Sequence, residues 1–122
     1  MQSISIIIAI YNRKDELFEL LNSLSHQTDK DFEVIIVDDG SLINLRPTAE
    51  LFHESLTIEF FCKDNSGPGL SRNYGAKRSK NDWLVFVDSD VIVETDYIQK
   101  IKKNLTEGSC DAFGGADKAH KG

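Results

Sequence analysis

The chemistry available to this chain sits in short polar clusters that follow apolar runs. The sharpest is Asp88-Ser89-Asp90, directly after Trp83 to Val87. Residues i and i+2 of an extended chain point to the same side, roughly 6–7 Å apart at two rises of about 3.3 Å. Two carboxylates so placed suit a hard divalent cation with its phosphate ligand, or a division of labour between cation and ribose hydroxyls. A D-x-D triplet alone is a weak signal that also occurs on solvated turns; its position after a buried strand gives it weight. Asp38-Asp39-Gly40-Ser41 likewise closes an apolar run. Asp39 is suited to accept from a base N–H or a ribose hydroxyl, Gly40 supplies a permissive turn, and Asp38 is expected to cap that turn. The Gly-rich segment Asn65 to Gly75 enters a helix, with Pro68 in its first turn. Free N–H groups at a helix start suit phosphate oxygens, and Arg72 adds a planar fork of donors. An ordinary capped helix with a surface Arg is the plain alternative. No G-K-[ST] and no G-x-G-x-x-G fits these glycines, which excludes a P-loop and a dinucleotide fingerprint.

The elements that must position these residues follow from apolar periodicity. Ile4 to Ile10, Phe32 to Val37 and Trp83 to Val87 read as strands buried on both faces, and Leu56 to Phe61 as a further strand. Asn12 is placed to cap a first helix, whose Leu17, Leu20, Leu21 and Leu24 form one stripe and whose first turn carries Asp15 and Glu16. A short helix is expected over Thr48 to Glu54, opened by Pro47, and another from about Gly69 to Ser79. Thr95 should cap a last helix with Tyr97, Ile98, Ile101 and Leu105 on one face, stopped by Gly108; a fifth strand is expected at Cys110 to Gly115. Alternating strands and helices predict right-handed βαβ units in an α/β, mostly parallel sheet with helices on both faces. Ligands of such sheets bind beyond the carboxyl ends of the strands. Tyr11-Asn12, Asp38-Asp39 and Asp88-Ser89-Asp90 all fall there. Tyr11 is placed either to stack on a base or to pack at the rim, and Trp83 reads as core.

The composition excludes several classes. The chain has 122 residues, 14 Lys and Arg against 20 Asp and Glu, and a formal charge of -6. That balance argues against nucleic acid as a partner, although a cation and backbone N–H groups would let an acidic protein bind a diphosphate. No run of about 18 apolar residues and no signal peptide is seen, so the expected location is cytoplasmic, with membrane association left to any further sequence. Cys62 and Cys110 lack metal spacing and read as buried small hydrophobes. His26, His53 and His120 have no partners at metal or triad spacing.

The sequence Ile6-Ile7-Ile8-Ala9-Ile10-Tyr11-Asn12-Arg13, then Val37-Asp38-Asp39-Gly40-Ser41, then Asn65-x-Gly67 with Ser71-Arg72-Asn73-Tyr74-Gly75, then Phe86-Val87-Asp88-Ser89-Asp90 resembles the family 2 glycosyltransferases of the GT-A fold. The match spans nearly the whole chain, with four motifs in order. The resemblance implies inverting transfer from a nucleotide-diphospho-sugar, usually UDP-linked, to a glycan or lipid-linked acceptor, in glycan or cell-envelope polysaccharide synthesis. It implies that Tyr11 stacks on the base, Asp39 binds the base N–H, and Arg72 lies near base and diphosphate. Asp88 and Ser89 would contact the nucleotide, Asp88 and Asp90 would hold Mn²⁺ or Mg²⁺, and Ala9 would face the base where the family more often has a Pro-Thr or Pro-Ser pair.

The family's general base lies well past D-x-D, in an acceptor-binding half, whereas 32 residues follow Asp90 here. Residues 1–122 are therefore expected to be the donor-binding half alone, without transferase activity and with self-association through uncovered apolar surface. A non-catalytic nucleotide- and metal-binding module is the nearest alternative. A receiver domain would need acidic residues after the first strand, where Tyr11-Asn12 stands, and a sugar nucleotidyltransferase a Gly-rich basic loop there.

Overall fold

The computed structural model describes residues 3–107 and 116–120, with side chains through residue 105. Strands β1 (Ile4–Ile10), β2 (Phe32–Asp39), β3 (Thr57–Lys63), β4 (Trp83–Val87) and β5 (Ala116–His120) alternate with helices α1 (Lys14–Ser25), α2 (Arg46–Glu50), α3 (Pro68–Arg78) and α4 (Tyr97–Glu107). The sheet order is β3-β2-β1-β4-β5. β1 pairs in parallel with β2 on one side, Ile4 opposite Phe32, and with β4 on the other, Ile4 opposite Trp83. β5 alone runs antiparallel, with Val87 opposite Ala116. The expected strand at Cys110 to Gly115 lies outside the described residues, as does Gly108. The strand that is described comes later and lies antiparallel at the edge, an arrangement that needs no crossover back to the start of the sheet.

Both faces of the sheet are covered. Ile4, Ile6, Ile8 and Ile10 of β1 pack with Leu17, Leu20, Leu21 and Leu24 of α1 and with Ile98 and Ile101 of α4, all at 2% exposure or less. Each such side chain removed from water contributes about 1.5–3 kcal/mol, so the i, i+3, i+4 stripe on α1 is what clamps it to the sheet. The opposite face is smaller, built from Ile7, Ile35 and Val37, with Phe61, Tyr74 and Phe86 at its margin. There α3 approaches through Gly75, where an added Cβ would lie 2.8 Å from Ile7 Cγ2 and 3.1 Å from Val37 Cγ2. Trp83 is half-buried against the larger cluster.

Several local expectations give way to tertiary partners. Asn12 does not cap α1. It adopts φ 53, donates its N–H to Ser41 Oγ at 2.8 Å and accepts the N–H of Leu42 on Oδ1 at 2.6 Å. Its side chain ties the end of β1 to the loop after β2. α4 begins at Tyr97, and the N–H of Ile98 in its first turn is capped by Gln27 Oε1 at 3.0 Å from the end of α1, not by Thr95. α2 is shorter and earlier than expected, with Pro47 in its first turn and ordinary turns from Leu51 to Ser55. Cys62 is exposed, because β3 is the edge strand and neighbours only β2; Cys110 lies outside the described residues.

Candidate functional site

Between β1 and β4 the connections of the sheet diverge, one leading through α1 to β2 and the other arriving from α3. A crevice opens beyond strand ends at such a switch point. Here it holds a cleft of about 510 Å³. Its walls come from the end of β1 (Ala9, Ile10, Tyr11), the start of α1 (Arg13, Glu16), the end of β2 (Asp39), the start of α3 (Pro68, Arg72) and the turn after β4 (Val87, Asp88, Ser89, Asp90). All seven residues singled out from the sequence, Ala9, Tyr11, Asp39, Arg72, Asp88, Ser89 and Asp90, line this one cleft. Tyr11 is 44% exposed at its rim, leaving a ring face available to a planar ligand.

Asp39 is the most heavily engaged of them. The residue is 5% exposed. Oδ1 accepts from Lys63 Nζ at 2.9 Å and from the N–H of Ser66 at 2.8 Å, and Oδ2 accepts from the N–H of Gly67 at 2.9 Å. Burial opposes ionisation of this carboxyl, but the hydrogen bonds from Lys63, Ser66 and Gly67 and the ammonium charge outweigh it and hold its pKa below the usual carboxylate value. Gly40 permits the arrangement. It has φ +76, and a Cβ there would lie 2.7 Å from the backbone N of Asn65. Asn65 Nδ2 in turn donates to the Asp39 carbonyl at 2.9 Å. Asp38 caps the turn as expected, its Oδ1 accepting from the N–H of Ser41 at 2.9 Å.

The Asp88-Ser89-Asp90 triplet departs from the extended geometry expected for it. β4 ends at Val87, Ser89 and Asp90 form a turn, and the N–H of Val91 donates to the Asp88 carbonyl at 3.2 Å. The triplet lies beyond the paired part of β4, which ends at Phe86 toward β1 and at Val87 toward β5. Both carboxylates still border the cleft. Arg72 Nη2 donates to Asp88 Oδ1 at 3.1 Å, with side chains 42% and 59% exposed. An ion pair that open to water is worth at most about 1 kcal/mol and is readily exchanged for another partner. Ser89 Oγ donates to Glu16 Oε1 at 3.1 Å, and Asp90 makes no ion pair among the described residues.

Glu16, Lys63 and Asn65 were not legible as site residues. Glu16 reads as a favourable first-turn acid and nothing more. Lys63 has a signal only once β2 and β3 are aligned, since it stands directly opposite Asp39 in their register. Among the described residues no group of three or more His, Cys, Asp or Glu could cage a metal. The cleft instead offers two oxygen donors on one turn, the number that Mg²⁺-type cations commonly take from protein when phosphates and water complete the shell.

The family model described as Glycosyl transferase family 2 matches residues 5–121. An uncharacterized glycosyltransferase of Rickettsia conorii is 35% identical over 106 residues, covering 87% of this chain and 18% of that protein. One of Haemophilus influenzae is 42% identical over 98 residues, covering 80% of this chain and 33% of that protein. The crystal structure of S. aureus TarS residues 1–349 in complex with UDP-GlcNAc superposes with a TM-score of 0.81 at 32% identity, covering 88% of this chain and 32% of that chain. The chain thus spans between about a fifth and a third of the length of these relatives. The α/β architecture is that of the GT-A fold.

Proposed function

The chain belongs to glycosyl transferase family 2, and from that premise we propose that its cleft binds the nucleotide-diphospho-sugar donor of a sugar transfer. The observation that carries the reading is convergence: a base-sized aromatic face, a buried carboxylate, a mobile-partnered Arg and two turn carboxylates border one crevice at the switch point of the sheet. Tyr11 stacks on the base and Asp39 accepts its N–H. Ala9 lies beneath the base, contributing shape without a hydroxyl. Arg72 leaves Asp88 for the diphosphate oxygens, a cheap exchange because the pair is exposed. Asp88 and Asp90 would hold Mn²⁺ or Mg²⁺, with Ser89 kept in the turn by Glu16. A cation held there would offset charge on the departing nucleoside diphosphate. TarS, crystallised with UDP-GlcNAc, favours a UDP-linked donor by likeness.

Transfer with inversion further requires a base that takes the proton of the acceptor hydroxyl as it attacks opposite the leaving diphosphate. The carboxylates of the cleft are poor bases for this, since Asp39 holds Lys63 and two amides, Glu16 holds Ser89, and Asp88 and Asp90 are assigned to the cation. This chain accordingly binds donor without turning it over, and a glycan or lipid-linked acceptor is presented to the site by other sequence. Titration calorimetry of UDP with and without Mn²⁺, on the chain and on Asp90→Ala, tests the reading. Binding strengthened by Mn²⁺ and lost or reduced at least tenfold in Asp90→Ala is expected; binding indifferent to metal and to the substitution refutes the assignment.

A further inference from the structure

We propose that Lys63 is a positioning residue that sets base specificity: by holding one oxygen of Asp39 it leaves that carboxylate a single acceptor position toward the cleft, which selects uracil or thymine over guanine. The inference rests on the nucleotide reading of the cleft. An ionised carboxylate has about four lone-pair positions on two oxygens. Lys63 Nζ and the N–H of Ser66 fill both positions on Oδ1, and the N–H of Gly67 fills one on Oδ2. One position on Oδ2 remains, on a residue that forms part of the cleft wall.

Lys63 cannot be displaced cheaply to free Oδ1. Its ammonium has three N–H donors, and they go to Asp39 Oδ1, to the Asp64 carbonyl at 2.8 Å and to Ser66 Oγ. Its side chain is 15% exposed and does not line the cleft, so it acts through Asp39 alone. Uracil and thymine present one N–H flanked on both sides by carbonyl oxygens. Their edge asks one acceptor of Asp39, and in either orientation a carbonyl lies toward the Lys63 charge. Guanine presents N1–H and the N2 amino group side by side and needs both oxygens; with Oδ1 filled, its second donor is buried without a partner.

The test compares UDP with GDP, and with UDP methylated at N3, by calorimetry in Mn²⁺ on the wild-type chain, Lys63→Met and Lys63→Arg. Wild type is expected to prefer UDP over GDP by at least about tenfold, or 1.4 kcal/mol, and to lose a similar factor on N3 methylation. In Lys63→Met the UDP/GDP ratio should fall to about threefold or less as Oδ1 opens, a shift that a merely structural role would not produce, while Lys63→Arg keeps the wild-type ratio. GDP binding as tightly as UDP to wild type overturns the proposal without any variant, as does an unchanged ratio in a folded Lys63→Met. Failure of a folded chain to bind any of the nucleotides overturns the nucleotide reading of the cleft, and this inference with it.

Discussion

Replacing Gly75 by Ala sets two effects of known size against each other. Gly75 lies inside α3, where Ala would be favoured by about 1 kcal/mol on helix propensity. The new methyl would sit 2.8 Å from Ile7 Cγ2, 3.1 Å from Val37 Cγ2 and 3.5 Å from Ile35 Cγ2. Carbon atoms in contact prefer about 3.5–4.0 Å, so the helix must rise by roughly 0.7–1 Å. The three neighbours are β-branched, stiff at χ1 and at most 1% exposed, and they cannot turn aside. Overpacking of this kind costs about 2–3 kcal/mol, and the net is a destabilisation of about 1–2 kcal/mol, or roughly 4–8 °C in Tm. Gly69→Ala, in the first turn of the same helix with nothing within 4 Å of its added Cβ, should be neutral or stabilising by up to about 1 kcal/mol. Urea denaturation of both variants provides the comparison. A Gly75→Ala protein at least as stable as wild type would refute the packing argument, and equal destabilisation at Gly69 would refute its attribution to the sheet contact.

Asn12→Ala should cost about 1–2 kcal/mol, because it removes the acceptor for the Leu42 N–H and places a Cβ without polar compensation at φ 53; a loss below about 0.5 kcal/mol by urea denaturation would count against that role. Asp39→Asn should cost about 1–3 kcal/mol at neutral pH by removing the charge that the half-buried Lys63 ammonium and two backbone N–H groups face. Since the folded-state pKa of Asp39 lies below 3.8, its contribution is full above the unfolded value and lost as pH falls through the folded one. The stability gap between wild type and Asp39→Asn should therefore be flat from about pH 7 to 5 and shrink below about pH 4; a gap unchanged at pH 3 would contradict the linkage.

Much of this protein is legible in one dimension. Near-continuous apolar runs at Ile4–Ile10, Phe32–Val37 and Trp83–Val87 read as strands buried on both faces, the environment that a covered parallel sheet supplies. The leucine stripe of α1 gives its inward face, the rule that ligands sit beyond the carboxyl ends of the strands places Tyr11, Asp39 and the D-x-D triplet at one edge, and the family resemblance adds Ala9. All of them line the cleft. What misled was the assumption of local partners. Asn12 stands where an N-cap should, yet its side chain finds Leu42, 30 residues on; the α4 start is capped by Gln27, 71 residues before Ile98. The D-x-D pair lies on a turn beyond the last paired residue of β4, which is Phe86 toward β1 and Val87 toward β5, a fact of register rather than composition.

The sequence by itself determined the four parallel strands and the helices α1, α3 and α4 to within a few residues, which of their faces are apolar and which polar residues end each of these strands, because those properties follow from periodicity and from the two faces of a strand or helix. Only the tertiary structure decided what each polar side chain holds. Asp39 is bound to Lys63, Ser66 and Gly67, Asp88 to Arg72 and Ser89 to Glu16, and none of these pairs lies within ten residues in the chain. A hydrogen bond needs donor and acceptor within about 3 Å in a fixed orientation, and that proximity is created when the strands take their order and register, not by the order of residues along the chain.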